Sequence, residues 1–156
     1  GGADIWGTAD GFNYLYQSLF GGTQGGAAVR ITALDDTNTF AKAGLMLRAD
    51  SGGGSAHVIL DVRPGGQIEF MKRDADGGAT AFIAGAQASF PVWLRMVRTS
   101  TTVTGAISSD GVNWTDVGTT ATGIGAHAMM GLVVTSHQLG VLATTSFDHL
   151  GAFEPQ

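Results

Sequence analysis

An all-β sandwich is the fold class that this sequence predicts, on three observations. Apolar residues recur with period two in short segments, 25 of the 156 residues are glycine, and only 13% are charged. Alternation of that kind marks half-buried strands, and few charges with many glycines suit a turn-rich β protein. No segment shows the 3.6-residue periodicity of an amphipathic helix. The length is that of one domain, enough to bury most of its apolar surface.

Taken in order, the alternating segments are Phe12–Ser18, Ala27–Leu34, Ala41–Ala49, His57–Val62, Gln67–Arg73, Ala79–Ala84, Val92–Arg98, Thr102–Ser108, Trp114–Gly118, Ala128–Thr135 and Ala143–Leu150. Ten or eleven strands in one domain mean a sandwich or a closed barrel. Their separators have turn chemistry. Arg63-Pro64-Gly65-Gly66 offers a fixed φ followed by a residue free to take positive φ, and Ser109-Asp110-Gly111 also supplies such a residue. Ser108 to Trp114 is expected to form a hairpin clasp with Trp114 packed on the core.

Several function classes are disfavoured. Eight Lys and Arg against 13 Asp and Glu give a net charge of -5, with no basic footprint for a nucleic-acid backbone. The apolar runs fall far short of the roughly 20 residues of a membrane-spanning helix. The absence of cysteine excludes disulfides, thiol catalysis and Cys-ligated zinc, and leaves the compartment open. The start, Gly1-Gly2-Ala3-Asp4, lacks the pattern of a signal peptide. The expectation is one module, residues 1–156, of a larger multidomain protein.

Core-facing residues must meet core-facing residues across a hairpin, which sets the register in the middle of the chain. Val62 opposite Ile68, Leu60 opposite Phe70 and Leu47 opposite Val58 place three rows on the other face. These are Arg48, His57, Arg73; then Met46, Ile59, Met71; then Gly44, Asp61, Glu69. A face both polar and apolar suits a carbohydrate, which offers hydroxyl edges to planar donors and C–H faces to soft groups. The other reading is a salt-bridged patch in which Arg48, His57 and Arg73 pair with Asp61, Glu69 or a loop carboxylate.

Asp4-Ile5-Trp6-Gly7, Ala9-Asp10-Gly11-Phe12 with Tyr16-Gln17, and Ala41-Lys42-Ala43-Gly44-Leu45-Met46-Leu47-Arg48 carry a family likeness. Ala56-His57, Ser108-Ser109-Asp110-Gly111 leading to Trp114, and Gly131 to His137 extend it over nearly the whole chain. In order and spacing these resemble the small concanavalin A-like lectin/glucanase modules of bacterial extracellular proteins. The resemblance implies a jelly-roll sandwich of two antiparallel sheets, extracellular or at the cell surface, often appended to glycoside hydrolases, polysaccharide lyases or surface proteins. The chain departs from that pattern at Ser55-Ala56, where a proline is usual, and at Gln138-Leu139, where an Asn or Asp usually follows the histidine.

Glycosidases need two carboxyl groups flanking the scissile bond, one held protonated. This chain has only two glutamates, Glu69 and Glu154, and no carboxylate-rich strand. Asp61 opposite Glu69 is the one candidate pair, with Arg63 or Lys42 in reach to neutralise it. There is no HExxH string, so His127 and His149 are expected to be ordinary surface or strand residues. A structural calcium ion is a further expectation, in the turns Asp35-Asp36-Thr37-Asn38 or Asp74-Ala75-Asp76-Gly77. These cluster hard oxygen ligands, although Asp and Asn also favour turns for their own sake.

Trp6 and Trp93 are the candidates for stacking on a sugar, against burial as the alternative role. Trp93 alternates away from Val92, Leu94 and Met96, His137 follows Val133 and Thr135 off a strand end, and Gln17 shares a face with Leu15 and Asn13. The expected function is therefore a non-catalytic module that binds a polysaccharide or glycan through Arg48, His57, Arg73 and His137, with Gln17 and Trp93 in support. Its two arginines would favour acidic or heavily hydroxylated sugars. The alternatives are a structural or adhesive module and, third, a glycosidase or lyase.

Overall fold

Val92, Leu94 and Met96 bury one side of their strand while Trp93 and Arg95 stay half-buried on the other, whereas the strands Lys42–Arg48 and His57–Val62 are buried on both sides. The computed structural model describes residues 2–19 and 22–153. The strands, in chain order, are β1 (Ile5–Trp6), β2 (Ala9–Asp10), β3 (Asn13–Leu19), β4 (Gln24–Leu34), β5 (Lys42–Arg48), β6 (His57–Val62), β7 (Gln67–Arg73), β8 (Ala81–Gln87), β9 (Val92–Thr99), β10 (Thr102–Ser108), β11 (Thr115–Ala121), β12 (Ala128–Thr135) and β13 (Thr145–Phe153). Among the described residues there is no helix long and apolar enough to cross a membrane.

Two antiparallel sheets face each other. One is five-stranded in the order β11-β10-β9-β4-β13, and the other six-stranded in the order β3-β12-β5-β6-β7-β8. Val29, Ile31, Leu94 and Met96 from the first sheet meet Leu45, Leu47, Val58, Leu60, Val62 and Phe70 from the second to form the main core.

The register deduced for the middle strands is the observed one: Leu47 lies opposite Val58, Leu60 opposite Phe70, Val62 opposite Ile68, and Arg48 and Arg73 flank His57. Each of these connections is a hairpin, so sequence neighbours are sheet neighbours. The turns follow their chemistry, with Gly66 at φ 83° and Gly111 at φ 75°. The Asp110 carboxylate accepts the amides of Val112 and Asn113 at 2.8 Å and the Asn113 side chain at 2.7 Å. Those hydrogen bonds hold its pKa well below the usual carboxylate range. The clasp is thus present, but Trp114 is not on the core. Its ring lies 4.3 Å from the Arg95 guanidinium on the outer face of the five-stranded sheet.

Gly44 on β5 is required by close approach: a Cβ there would stand 2.1 Å from the Leu60 carbonyl oxygen and 2.7 Å from Asp61 Cα. Gly44→Ala is therefore expected to push β5 and β6 apart and cost about 3 kcal/mol, the upper end of ordinary overpacking. A denaturant midpoint measures it.

The sequence reading began the first strand at Phe12, whereas the structure adds a hairpin before it. Ile5 pairs with Asp10 and Trp6 with Ala9 around Gly7 at φ 61°. Ile5 is fully buried in a second, smaller cluster with Met46, Ile59, Met71 and Val133, flanked by Phe12 and Tyr14. The Tyr14 hydroxyl lies 3.0 Å from the carbonyls of Met46 and Met129, and burial pushes its phenol well above its ordinary pKa. The N-terminal segment thus covers the outer face of β5–β7.

Candidate functional site

Arg48, His57 and Arg73 do come together in one row, but on a covered face. The Asp10 carboxylate comes down from β2 onto them, accepting from Arg48 Nη1 at 2.7 Å and from Arg73 Nη1 and Nη2 at 2.6 and 2.8 Å. Arg48 also donates to the carbonyls of Gly52 and Gly53, and Arg73 to those of Gly7 and Gly78. All four side chains are 1% exposed or less. Of the two sequence readings of this row, a ligand surface and a salt-bridged patch, the structure has the patch, with the carboxylate supplied from β2 and a roof over it. His57, boxed in by burial and two guanidiniums, has its pKa lowered to about 4 and is neutral near pH 7.

Beyond the Met46–Ile59–Met71 row on the same sheet face, glycines take both outer places. Gly44 and Gly85 flank Asp61 and Glu69 in a row across β5–β8, and a pocket of about 520 Å³ opens at this end of the sheet. Trp6 and Asp4 wall it from the N-terminal hairpin, Phe40 and His137 from loops, and Phe82 from β8, with Lys42, Arg63 and Glu69 below. The rings of Trp6, Phe40 and Phe82 are 45%, 46% and 54% exposed, unusual for such large apolar groups.

The charged groups of the pocket are already matched. Lys42 Nζ donates to Asp4 Oδ1 at 2.6 Å, and Arg63 forms a two-bond fork on Glu69 at 2.9 and 2.6 Å. The same guanidinium stacks 4.4 Å from the Phe40 ring. Burial works to raise Asp4, but Lys42, the Ile5 amide and His137 together outweigh it and leave the carboxyl below its ordinary pKa. His137 sits at φ 51°, with Nδ1 3.2 Å from Asp4 Oδ2 and its ring 5.4 Å from Phe40. A left-handed non-glycine residue costs about 1 kcal/mol or more, and such residues gather at ligand clamps.

Asp61 is 0% exposed, and neither of its oxygens has a hydrogen-bond partner among the described residues. Burial, then the neighbouring Glu69, pushes its pKa well above the ordinary value. The sign of the linkage follows: the stability this group contributes is present below its unfolded pKa and is lost as pH rises toward its folded one. Asp61→Asn is therefore expected to gain stability over wild type as pH rises from about 4 toward neutrality. The gain should vanish as pH falls toward 4 in paired denaturant titrations.

Of the other candidates, His137 lies in this pocket, while Gln17 and Trp93 lie elsewhere. Gln17 is exposed on β3 and lines a groove of about 420 Å³ between the sheet edges. Trp93 is on the outer face of the opposite sheet, between Arg30 (5.8 Å) and His149 (5.2 Å). In the acidic turns, Asp35, Asn38 and Asp76 accept the backbone amides of Thr144, Phe40 and Ala56. Among the described residues no group of three or more His, Asp or Glu is placed to hold a metal ion.

The sequence reading missed Phe40 and Phe82 as pocket walls and had Trp6 as a stacking ring or a buried one. Simple alternation from Phe70 opposite Ala84 would place Ile83, not Phe82, on the pocket side. A bulge between Phe70 and Met71 instead brings Phe82 opposite Met71, while Ile83 packs on the core. A Gly-Thr pair between Trp6 and Ala9 was the available signal for the hairpin.

No protein-family model matches the chain, and no curated protein sequence does. Solved structures do. A mutant of the GH43 protein BlXynB from Bacillus licheniformis superposes with a TM-score of 0.73 at 14% identity, over 93% of this chain and 33% of that one. A functionally unknown protein from Saccharomyces cerevisiae gives 0.72 at 18% identity, over 99% of this chain and 84% of that one. The carbohydrate-binding module CBM66 from Bacillus subtilis gives 0.65 at 18% identity, over 99% and 91%. This chain spans about a third of the length of the GH43 protein. These likenesses, with the two facing antiparallel sheets, establish the fold as a jelly-roll sandwich of the concanavalin A-like kind.

Proposed function

We propose that the chain is a non-catalytic carbohydrate-binding module that takes the end of a neutral glycan in the pocket between Trp6, Phe40 and Phe82. The observation that carries this reading is three half-exposed aromatic rings around a pocket whose ions are paired with one another. Rings stack on sugar C–H faces, and prearranged polar groups orient hydroxyls. Lys42 with Asp4 and Arg63 with Glu69 leave no spare cation for a uronate or sulfate. The arginines expected to favour acidic sugars, Arg48 and Arg73, are instead committed to Asp10.

An end, rather than the middle, of a chain fits because the neighbouring face is filled. Ile5 and its partners occupy the groove over Met46, Ile59 and Met71 that a polysaccharide crossing the sheet would need. Hydrolysis is disfavoured by the same geometry: Asp61 is sealed from any scissile bond and Glu69 is gripped by Arg63. The module would serve a secreted enzyme or surface protein by holding it to its polysaccharide. The likeness to a carbohydrate-binding module over nearly all of both chains supports this.

The test is a binding screen of the domain against neutral and acidic polysaccharides and oligosaccharides, with and without a calcium chelator. A neutral glycan is expected to bind, with affinity at least tenfold weaker in Trp6→Ala. Silence across the panel, or binding unaffected by both Trp6→Ala and Phe82→Ala, would overturn the reading and favour a structural or adhesive module.

A further inference from the structure

Resting on that reading, we infer that Asp10 is a positioning residue of the pocket. Through Arg73 and Arg48 it fixes the hairpin that carries Trp6 and Asp4 into the wall, without itself touching the ligand.

Four groups of contacts, from Arg73, Arg48, Gly53 and Thr80, converge on the hairpin. Arg73 grips both ends of the hairpin at once: Nη1 and Nη2 meet the Asp10 carboxylate, while Nη2 also reaches the carbonyl oxygens of Gly7 at 3.0 Å and Trp6 at 3.5 Å. Arg48 takes Asp10 from the other side at 2.7 Å and spans to the loop carbonyls of Gly52 and Gly53. That loop in turn accepts the Asp10 amide at Gly53, at 2.8 Å. Thr80 donates its amide to Gly7 at 2.7 Å, closing the ring of contacts around the turn beside Trp6.

The hairpin has little else to hold it. β1 and β2 are two residues each and pair only with one another, so the six-stranded sheet lends them no ladder. An isolated two-stranded hairpin is marginal in water. Besides the backbone bonds of Gly7 to Thr80 and of Asp10 to Gly53, its fixed points are Ile5 in the small apolar cluster, Asp4 on Lys42, and the Asp10 carboxylate. Of these the Asp10 anchor is fully buried and has the most bonds. Loss of its charge leaves two guanidiniums facing each other under the hairpin, which favours lifting it into water. Trp6 would move with it, opening one wall of the pocket while the strands beneath stay paired.

The experiment compares wild type, Asp10→Asn, Arg48→Lys and Gly111→Ala. Retention is read on beads carrying xylan, β-glucan, mannan or fructan, and backbone hydrogen exchange is read by mass spectrometry. Gly111→Ala strains the distant β10–β11 hairpin, where φ is 75° and a Cβ would lie 2.8 Å from Trp93. It serves as a variant destabilised away from the pocket. The expected result is at least tenfold faster exchange over residues 2–11 in Asp10→Asn with β5–β7 still protected, and at least tenfold weaker retention. Gly111→Ala should be retained like wild type. Arg48→Lys keeps the charge but drops the Gly52 and Gly53 bonds, and should show a smaller shift in the same direction; it decides the matter if Asp10→Asn does not fold. Unchanged exchange over residues 2–11, or undiminished retention with that segment loosened, overturns the inference. If no bead retains wild type, the glycan reading fails instead, and the exchange data alone judge whether Asp10 fixes the hairpin.

Discussion

Arg73→Ala is expected to lower the unfolding free energy by about 3–5 kcal/mol, the usual result of stripping one partner from a buried ion pair. Arg73 Nε, Nη1 and Nη2 all donate, to Asp10, Gly7, Gly78 and Thr80 among others, and the side chain is 0% exposed. Alanine would strip that donor from the Gly78 carbonyl and the Thr80 hydroxyl, leave the Gly7 carbonyl only the Thr80 amide, and leave Asp10 one guanidinium. For a domain of this size the melting temperature should fall by about 10 °C or more. An unchanged melting temperature would mean that the row is open to solvent and the roof over it is absent.

The second large effect is acid sensitivity at His57. With its folded pKa lowered to about 4, the native state resists the proton that the unfolded chain accepts below about 6.5. The unfolded state then binds more protons across that window, so the stability His57 contributes rises with pH from about 4 to 6.5 and is lost on acidification. The shift is worth about 3 kcal/mol at full extent. Asp61 acts in the opposite sense, so the clean readout is a difference. The stability gap between wild type and His57→Gln should grow in favour of wild type as pH rises through that window. A gap that stays constant would mean that folded His57 titrates with the ordinary histidine pKa and takes up its proton across the same window as the unfolded chain.

The rows Arg48–His57–Arg73 and Gly44–Asp61–Glu69 were legible because β5, β6 and β7 are joined by short hairpins and carry dense apolar alternation, so one register alone buries the right side. What lies over those rows was not. Two-residue strands give no periodicity, so β1 and β2 left only a turn signal, and Ile5 and Asp10 came as a covering layer rather than as neighbours in the sheet. Alternation also does not say which sheet a strand joins. Trp93 and Trp114 were therefore placed correctly as to side or turn, but Trp93 is on the sheet opposite the pocket and Trp114 faces outward. Phe82 was hidden by a bulge, which reverses the side of each residue beyond it. The mixed polar and apolar face is covered over most of its length, and the pocket lies at its end rather than at its centre.

The most direct measurement presents one glycan from the screen to the domain twice, as intact polymer and after limited endo-cleavage, at equal mass of sugar. A pocket that takes chain ends predicts that bound protein rises with the number of ends released, and that the rise disappears in Trp6→Ala. Binding that falls as the polymer is cut would show that the domain holds the middle of the chain, and would contradict an end pocket walled by Trp6, Phe40 and Phe82.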